Sequence, residues 1–177
     1  MTGSRLLLLA ALAVLALPSS ASAADLVIKV RSKHISSLGG FRTSGNHGTL
    51  RGAIRAWGRP STRKSLGGNG CRVNWSTVGV HAVFANFGGG SGCSETGARM
   101  QRATLHSKRW TTERGLHVGD PSSKVKQLYP GATFTVSYYW LYQAHDNFVG
   151  GDAPFVTAQM KGGAVNLIQV FVMAAGD

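Results

Sequence analysis

The N-terminal region of the chain places an unbroken apolar run, Leu6 to Leu17, directly after Arg5. The small-residue triplet Ala21-Ser22-Ala23 follows a few positions later. A short basic region, an apolar core of this length and an Ala-x-Ala site form the pattern of a secretory signal peptide rather than of a buried N-terminal helix. We therefore expect residues 1–23 to be removed and residues 24–177 to fold outside the cell, either secreted or associated with the cell wall.

Export brings the chain into an oxidising environment, which gives its only two cysteines, Cys71 and Cys93, a specific meaning. Two cysteines in an exported chain most simply pair with each other. The competing interpretation is a metal site, but no Cys-x-x-Cys or paired-histidine spacing accompanies them. The sequence therefore predicts a Cys71–Cys93 disulfide, no metal site and no cofactor. No later apolar stretch approaches the ~20 residues of a membrane span, so we expect no transmembrane segment in the mature chain.

Apolar periodicity and turn residues predict one helix and several strands in the first half of the chain. Thr49 is placed to cap a helix from Leu50 to Trp57, which Gly58 ends. Alternation of apolar and basic residues predicts a strand at 26–31. Further strands are expected at 71–75, 80–87 and 98–106, and loops at 36–48 and 61–70.

The second half of the chain shows a similar order of signals. Gly119-Asp120-Pro121 is typical of a helix start, with Asp120 as the helix cap and Pro121 at the first helical position. A strand rich in aromatic residues is expected over Thr133 to Ala144. The Gly162-Gly163 pair predicts a tight hairpin between the two strands that flank it.

The two halves align when Thr49 is placed on Asp120. Each half then consists of a helix followed by three strands, which is consistent with an internal duplication with repeats at 46–107 and 115–177. We therefore expect an α+β domain in which short helices pack on a mainly antiparallel sheet.

A motif that leads into a helix occurs at Gly115-Leu-His-Val-Gly-Asp-Pro-Ser-Ser-Lys-Val-Lys-Gln-Leu-Tyr-Pro130. It resembles the corresponding motif of two groups of small exported α+β domains, the SmpA/OmlA outer-membrane assembly lipoproteins and the tandem-repeat β-lactamase inhibitor proteins of actinobacteria. The mature chain, with Ala-Asn-Phe-Gly-Gly-Gly at 85–90 and Ala-Ala-Gly-Asp at 174–177, resembles uncharacterised secreted α+β proteins of actinobacteria. The resemblance implies a fold and a compartment, and it carries no catalytic residue to this chain.

Side chains suited to catalysis are sparse. The serine in Gly89-Gly90-Ser91-Gly92-Cys93 lacks the final glycine of a nucleophile elbow and lies in a glycine loop. His81 and His106 fall on predicted strands, but without the spacing of paired metal ligands. His145 and Asp146 are candidates for an acid–base pair, because a carboxylate can orient an imidazole, and an ordinary loop turn is the alternative. We therefore expect no catalytic residues and keep a hydrolase using His145 and Asp146 as an alternative.

Positive charge is concentrated in the first third of the mature chain. Residues 24–72 contain ten Lys or Arg residues and one acidic residue, which gives a net charge of +9. Residues 73–177 contain eight Lys or Arg residues and six acidic residues, which gives a net charge of only +2. Such clustering attracts polyanions. The candidate anion-binding residues are Lys29, Arg31, Lys33, Arg51, Arg55, Arg59, Arg63 and Lys64. The alternative is that these charges only solubilise the surface.

The aromatic strand offers a second candidate contact. Alternation places Tyr138, Trp140 and Tyr142 on one strand face. These side chains either pack in the core or form an exposed row that binds sugar rings or a partner protein. The sequence thus predicts a secreted, non-catalytic binding protein that contacts an anionic surface polymer or polysaccharide. An extracellular protein-interaction or inhibitor module is the alternative. Specific recognition of nucleic acid is not expected, since no recognition motif occurs.

Overall fold

The computed structural model of the protein describes residues 26–45, 48–146 and 151–172, which form two sheets and two short helices. In chain order the elements are β1 (Leu26–Arg31), β2 (His34–Leu38), β3 (Phe41–Arg42), α1 (Leu50–Trp57), β4 (Thr62–Ser65), β5 (Gly70–Trp75), β6 (Val80–Ala85), β7 (Arg99–Leu105), β8 (Trp110–Thr112), α2 (Ser122–Leu128), β9 (Thr133–Thr135), β10 (Tyr138–Asp146), β11 (Gly151–Lys161) and β12 (Ala164–Phe171). The expected combination of short helices with a mainly antiparallel sheet is confirmed in this coarse form, with strands dominating. No helix in these three segments is long and apolar enough to cross a membrane. The predicted leader, residues 1–23, lies outside the described residues.

The larger sheet has eight strands in the order β4-β5-β6-β7-β12-β11-β10-β9, and its neighbouring strands are antiparallel. It consists of two four-strand meanders, β4 to β7 and β9 to β12, which meet where β7 pairs with β12. The smaller sheet has the order β3-β2-β1-β8, with β8 parallel to β1. Each helix is therefore followed by four strands of the larger sheet, where the sequence predicts three.

Alternation along the strands gives the larger sheet two different faces. On β5, Cys71 and Val73 are fully buried, whereas Arg72 between them is exposed. The register pairs Val73 with Ala82 of β6, which pairs in turn with Ala103 of β7, and both alanines are buried. Apolar side chains thus meet across the strands on one face, which we call the inner face. The opposite side of the larger sheet, to which Arg72 belongs, is the outer face.

Aromatic rings join α1 to both sheets at the inner face. The ring of Trp57, at the end of α1, lies 5.1 Å from Phe41 of the smaller sheet and 5.1 Å from Trp75 of the larger sheet, measured between ring centroids. The ring of Trp110 lies 6.2 Å away. The indole N–H of Trp57 donates to the carbonyl of Leu38 at 3.1 Å. Edge-to-face packing and a satisfied N–H make Trp57 the centre of the core.

Two local predictions are confirmed in detail. Thr49 caps α1, since its side-chain oxygen accepts a hydrogen bond from the N–H of Gly52 at 3.3 Å. Gly58 ends the helix with a φ of 82°, in the region that favours glycine. The hairpin between β11 and β12 turns at Gly162 and Gly163, whose φ values of 60° and 79° are those of a primed turn.

Two segments that the sequence predicts as loops contain strands. The loop expected at 36–48 includes part of β2 and all of β3, and the buried residues Leu38 and Phe41 anchor these short strands. The loop expected at 61–70 contains β4, which pairs with β5 along one edge of the larger sheet. All four residues of β4 are exposed. An edge strand that buries no side chain shows no apolar alternation, so the sequence pattern does not predict it.

Candidate binding surfaces

Cationic side chains line two clefts that share Gly40, in the turn between β2 and β3. Arg42 and Arg55 line the first cleft, and Lys29 and Arg109 line the second. Arg109 reaches this position because it directly precedes β8, which pairs with β1 in parallel. Segments far apart in the sequence therefore bring their positive charges to one turn.

A third cleft extends this region along α1. It is lined by Arg51 and Arg55, which are one helical turn apart, together with Thr49 and Thr96. Because Arg55 also lines one of the clefts at Gly40, each cleft shares a lining residue with its neighbour, and the three lie side by side. We call this region the basic cleft surface, and its cationic members are Lys29, Arg42, Arg51, Arg55 and Arg109.

The predicted anion-binding residues separate into groups in the folded chain. Three of them lie in the basic cleft surface: Lys29, Arg51 and Arg55. Three others are exposed but line none of these clefts: Arg31, Lys33 and Arg59. The sequence pattern does not indicate the other two members of this surface, Arg42 and Arg109.

The remaining two predicted residues, Arg63 and Lys64, lie on opposite sides of the edge strand β4. Arg63 pairs with Glu95 at 3.1 Å and also donates to the carbonyl of Cys93. Its charge is therefore compensated within the chain, in contrast to the anion contact expected from the sequence. Lys64 pairs in register with Arg72 and belongs to the outer face.

The predicted disulfide is confirmed. Cys71 of β5 and Cys93 are bonded, and Cys71 is fully buried.

The loop that carries Cys93 comes so close to the turn between β4 and β5 that a Cβ atom on Gly92 would overlap the backbone of Asn69. Only glycine at position 92 lets the loop approach the turn in this way.

The outer face carries a row of side chains that crosses all eight strands. The register links them from β4 to β9 in the order Thr62, Asn74, His81, Thr104, Gln169, Thr157, Trp140 and Thr133. We call it the outer row. A neighbouring row, the cationic row, consists of Lys64, Arg72, Val83, Arg102 and Phe171. Because strands lie about 4.8 Å apart, the outer row presents hydrogen-bonding groups at a regular spacing.

Aromatic side chains form a shallow groove at one end of the outer row. Tyr138, Trp140 and Phe171 line this aromatic groove, which has a volume of about 320 Å³ and no charged residue in its lining. Gln169 and Thr157 lie between the rings. Thr157 is only 3% exposed, and its hydroxyl has no hydrogen-bond partner in the described part of the chain. Alternation along one strand predicts Tyr138 and Trp140 but not Phe171, which lies on a different strand.

The predicted aromatic row is wrong in its third member. The pairing of β10 with β11 shifts between Trp140 and Tyr142, and this irregularity places Tyr142 opposite the inner-face residue Val156. Tyr142 packs edge-on against Tyr129 at 5.5 Å, and its hydroxyl donates to Glu113 at 3.2 Å. Burial raises the pKa of the Tyr142 hydroxyl, and the negative charge of Glu113 adds to the shift. Tyr142 therefore belongs to the core side of the sheet.

Asp120 has a different role from the predicted helix cap. The N-cap of α2 is Pro121, and no side chain caps this helix. Asp120 instead accepts a hydrogen bond from the N–H of His117 at 2.7 Å and pairs with Lys124 at 2.9 Å. Burial alone raises the pKa of the Asp120 carboxyl, but these two partners outweigh it and hold the pKa below its usual value. The carboxylate therefore closes the turn that precedes α2.

We expect Asp120→Ala to lower the free energy of unfolding by about 1–2 kcal/mol, because a charge-assisted hydrogen bond is lost. Asp120→Asn, which keeps an acceptor but loses the charge, should cost less. Since the folded-state pKa is depressed, the contribution of the charge is fully present above the unfolded-state pKa of about 4 and is lost as the pH falls through the folded-state value. Urea titrations at neutral and acid pH measure both effects. Identical losses for the two variants at every pH would contradict this role.

His81 of β6 is in contact with His106, which directly follows β7. The rings of His81 and His106 lie 4.7 Å apart, and burial, followed by the charge of His81, lowers the pKa of His106. Residues 26–45, 48–146 and 151–172 contain no group of three or more side chains that could hold a metal ion. The side chains of His145 and Asp146 lie outside the described residues. The hydrolase alternative therefore stays a prediction.

Comparison with known proteins does not identify a ligand for either of these surfaces. No protein-family model, no curated protein and no solved structure matches the chain. The function must therefore be inferred from the basic cleft surface and from the outer face.

Proposed function

We propose that the protein is an exported, non-catalytic binding protein whose basic cleft surface contacts an anionic polymer, such as a charged polysaccharide of a cell surface. The observation that carries the proposal is that three neighbouring clefts, linked by the shared lining residues Gly40 and Arg55, are each lined by cationic side chains. These clefts bring cationic side chains from β1, β3, α1 and the segment before β8 to one region of the surface. A ligand with repeated negative charges matches such an array.

The charges on α1 favour a polyanion for a second reason. Arg51 and Arg55 are four positions apart on one helix face, a spacing at which like charges repel each other. Neither arginine belongs to the two salt bridges found among the described residues. A bound polyanion relieves this repulsion and releases counterions, so its affinity should depend strongly on salt.

The shape of the clefts favours a polymer over a small molecule. The three clefts have volumes of about 220, 370 and 260 Å³ and are open to solvent. A site for a small ligand usually buries most of that ligand's surface. Shallow clefts that lie side by side instead suit a polymer that contacts each of them in turn.

Binding to duplex DNA, used as a generic polyanion, tests the proposal. Each contacted phosphate contributes about −0.9 to the slope of log affinity against log salt concentration. We expect Arg51→Glu combined with Arg55→Glu to reduce the magnitude of this slope by about 2 and to weaken binding at least tenfold at low salt. The matched control is Lys126→Glu combined with Lys161→Glu, which makes the same change in net charge at exposed residues outside the basic cleft surface.

The control variant should keep a slope close to that of the wild-type protein. Equal losses in the two double variants would mean that only the total charge matters. No binding by the wild-type protein at low salt would also refute the proposal.

The two-repeat organisation is part of the same proposal. The predicted repeats 46–107 and 115–177 each include one helix and one four-strand meander of the larger sheet. This strand order supports a duplication. The corresponding halves of the outer face then carry different groups, with cations such as Arg72 on the first half and aromatic residues such as Trp140 on the second.

A further inference from the structure

We propose that the outer face of the larger sheet is a second binding site, which takes an acidic oligosaccharide with one sugar ring in the aromatic groove. This site is independent of the basic cleft surface. Trp57 packs against Trp75 on the inner face, so α1, with Arg51 and Arg55, lies on the other side of the larger sheet. Variants on α1 therefore leave the outer face intact.

The aromatic groove combines the two kinds of contact that a sugar ring makes. The C–H faces of a pyranose ring are apolar and pack on aromatic rings, whereas its hydroxyl groups need hydrogen-bond partners. Tyr138, Trp140 and Phe171 supply the rings, and the polar residues Gln169 and Thr157 also line the groove. The volume of about 320 Å³ lies at the lower end of the roughly 300–1,000 Å³ of ligand pockets, which suits a single ring.

The hydroxyl of Thr157 is the polar group that most needs a partner. It is buried and has no hydrogen bond in the described part of the chain. Buried polar groups without partners are unfavourable and rare in folded proteins. The cross-strand neighbours of Thr157 are Trp140 and Gln169, which both line the groove. Because this hydroxyl is covered in the structure, a sugar hydroxyl can reach it only when the lining of the groove shifts locally.

One wall of the groove is held in place before any ligand arrives. Gln159 donates a hydrogen bond to the hydroxyl of Tyr138 at 2.9 Å. Fixing this ring lowers the conformational entropy that binding would otherwise remove. The groove is therefore partly preorganised.

The cationic row explains why the sugar should be acidic. Arg102 is the cross-strand neighbour of Phe171, so its side chain begins one strand away from the groove. Arg72 and Lys64 continue the row toward the edge of the sheet. Guanidinium groups pair well with carboxylates, as in uronic acids.

The layout of the outer face favours a linear ligand over a protein. A protein interface usually has an apolar centre surrounded by a polar rim. Here the apolar groups lie at one end, around Trp140, and the cations at the other, around Arg72. Hydrogen-bonding side chains such as Thr104 and His81 connect the two ends along the outer row.

Isothermal titration calorimetry with a panel of short hexose oligosaccharides tests this site. Each oligosaccharide is used as the uronic acid and as its neutral methyl ester. We expect the wild-type protein to bind an acidic member more tightly than its ester. Trp140→Ala should weaken binding of both forms at least tenfold, whereas Trp140→Tyr, which keeps an aromatic ring, should retain most of the affinity.

Two further variants distinguish the effect of the outer-face charge on binding from that of the charges on α1. Arg102→Gln should weaken binding of the acid but not of the ester. Arg51→Glu combined with Arg55→Glu should leave binding of the ester unchanged, which distinguishes this site from the basic cleft surface. Thermal unfolding of each variant verifies that it is folded.

Three results would overturn the inference. One is the absence of binding to any member of the panel. Another is wild-type affinity in both Trp140 variants. The third is a protein ligand whose binding requires Trp140 while no oligosaccharide binds, because the outer face would then be a protein-binding surface.

Discussion

Replacement of Trp57 by alanine is expected to lower the free energy of unfolding by about 3–5 kcal/mol. The indole ring packs against three other aromatic rings, at centroid distances of 5.1, 5.1 and 6.2 Å. Its removal leaves a cavity where α1 meets both sheets. The carbonyl of Leu38 also loses its indole N–H donor, and an unpaired buried carbonyl adds to the cost.

Two other variants test whether the loss of stability is specific to the indole ring at position 57. Trp57→Phe keeps an aromatic ring but loses the N–H donor, so its cost should be intermediate. Trp140→Ala removes an indole of the same size from the partly exposed outer face, where the loss of packing is smaller, and it should cost clearly less. Urea titration followed by circular dichroism compares the three proteins. If Trp57→Ala and Trp140→Ala cost the same, Trp57 is not the centre of the core.

The sequence predicts well those elements that depend on a few adjacent residues. The ends of α1 follow from Thr49 and Gly58, because a cap and a left-handed glycine act within one turn of the helix. The hairpin at Gly162 and Gly163 follows from the same kind of local requirement, a positive φ at both turn positions.

The alternation of apolar and polar residues predicts strands and their buried faces less well where a strand is irregular or fully exposed. Alternation predicts Tyr142 on the same strand face as Trp140, but the shift in pairing between them moves Tyr142 to the core side. A β-bulge of this kind has no distinct sequence signal, since one extra residue is enough to reverse the pattern. β4 gives no signal either, because its four side chains are exposed.

The candidate surfaces depend on contacts between distant segments, so the sequence predicts only parts of them. Charge density identifies Arg51 and Arg55, which lie on one helix. Arg109 joins Lys29 only because β8 pairs with β1, a contact between residues far apart in the chain. Phe171 joins Trp140 in the same way, through the order of the strands in the larger sheet.

Loss of the disulfide should have the second large effect on stability. Cys71→Ser is expected to lower the free energy of unfolding by about 2–4 kcal/mol, because the unfolded chain regains the entropy of the loop that the bond closes. Cys93→Ser breaks the same bond at a less buried position, so it should give a similar loss without the added cost of a buried hydroxyl. Urea titrations measure both losses, and a reductant should bring the wild-type protein to the stability of Cys93→Ser. Two alkylatable thiols in protein prepared under oxidising conditions, or an unchanged unfolding midpoint for Cys93→Ser, would show that the bond does not stabilise the fold.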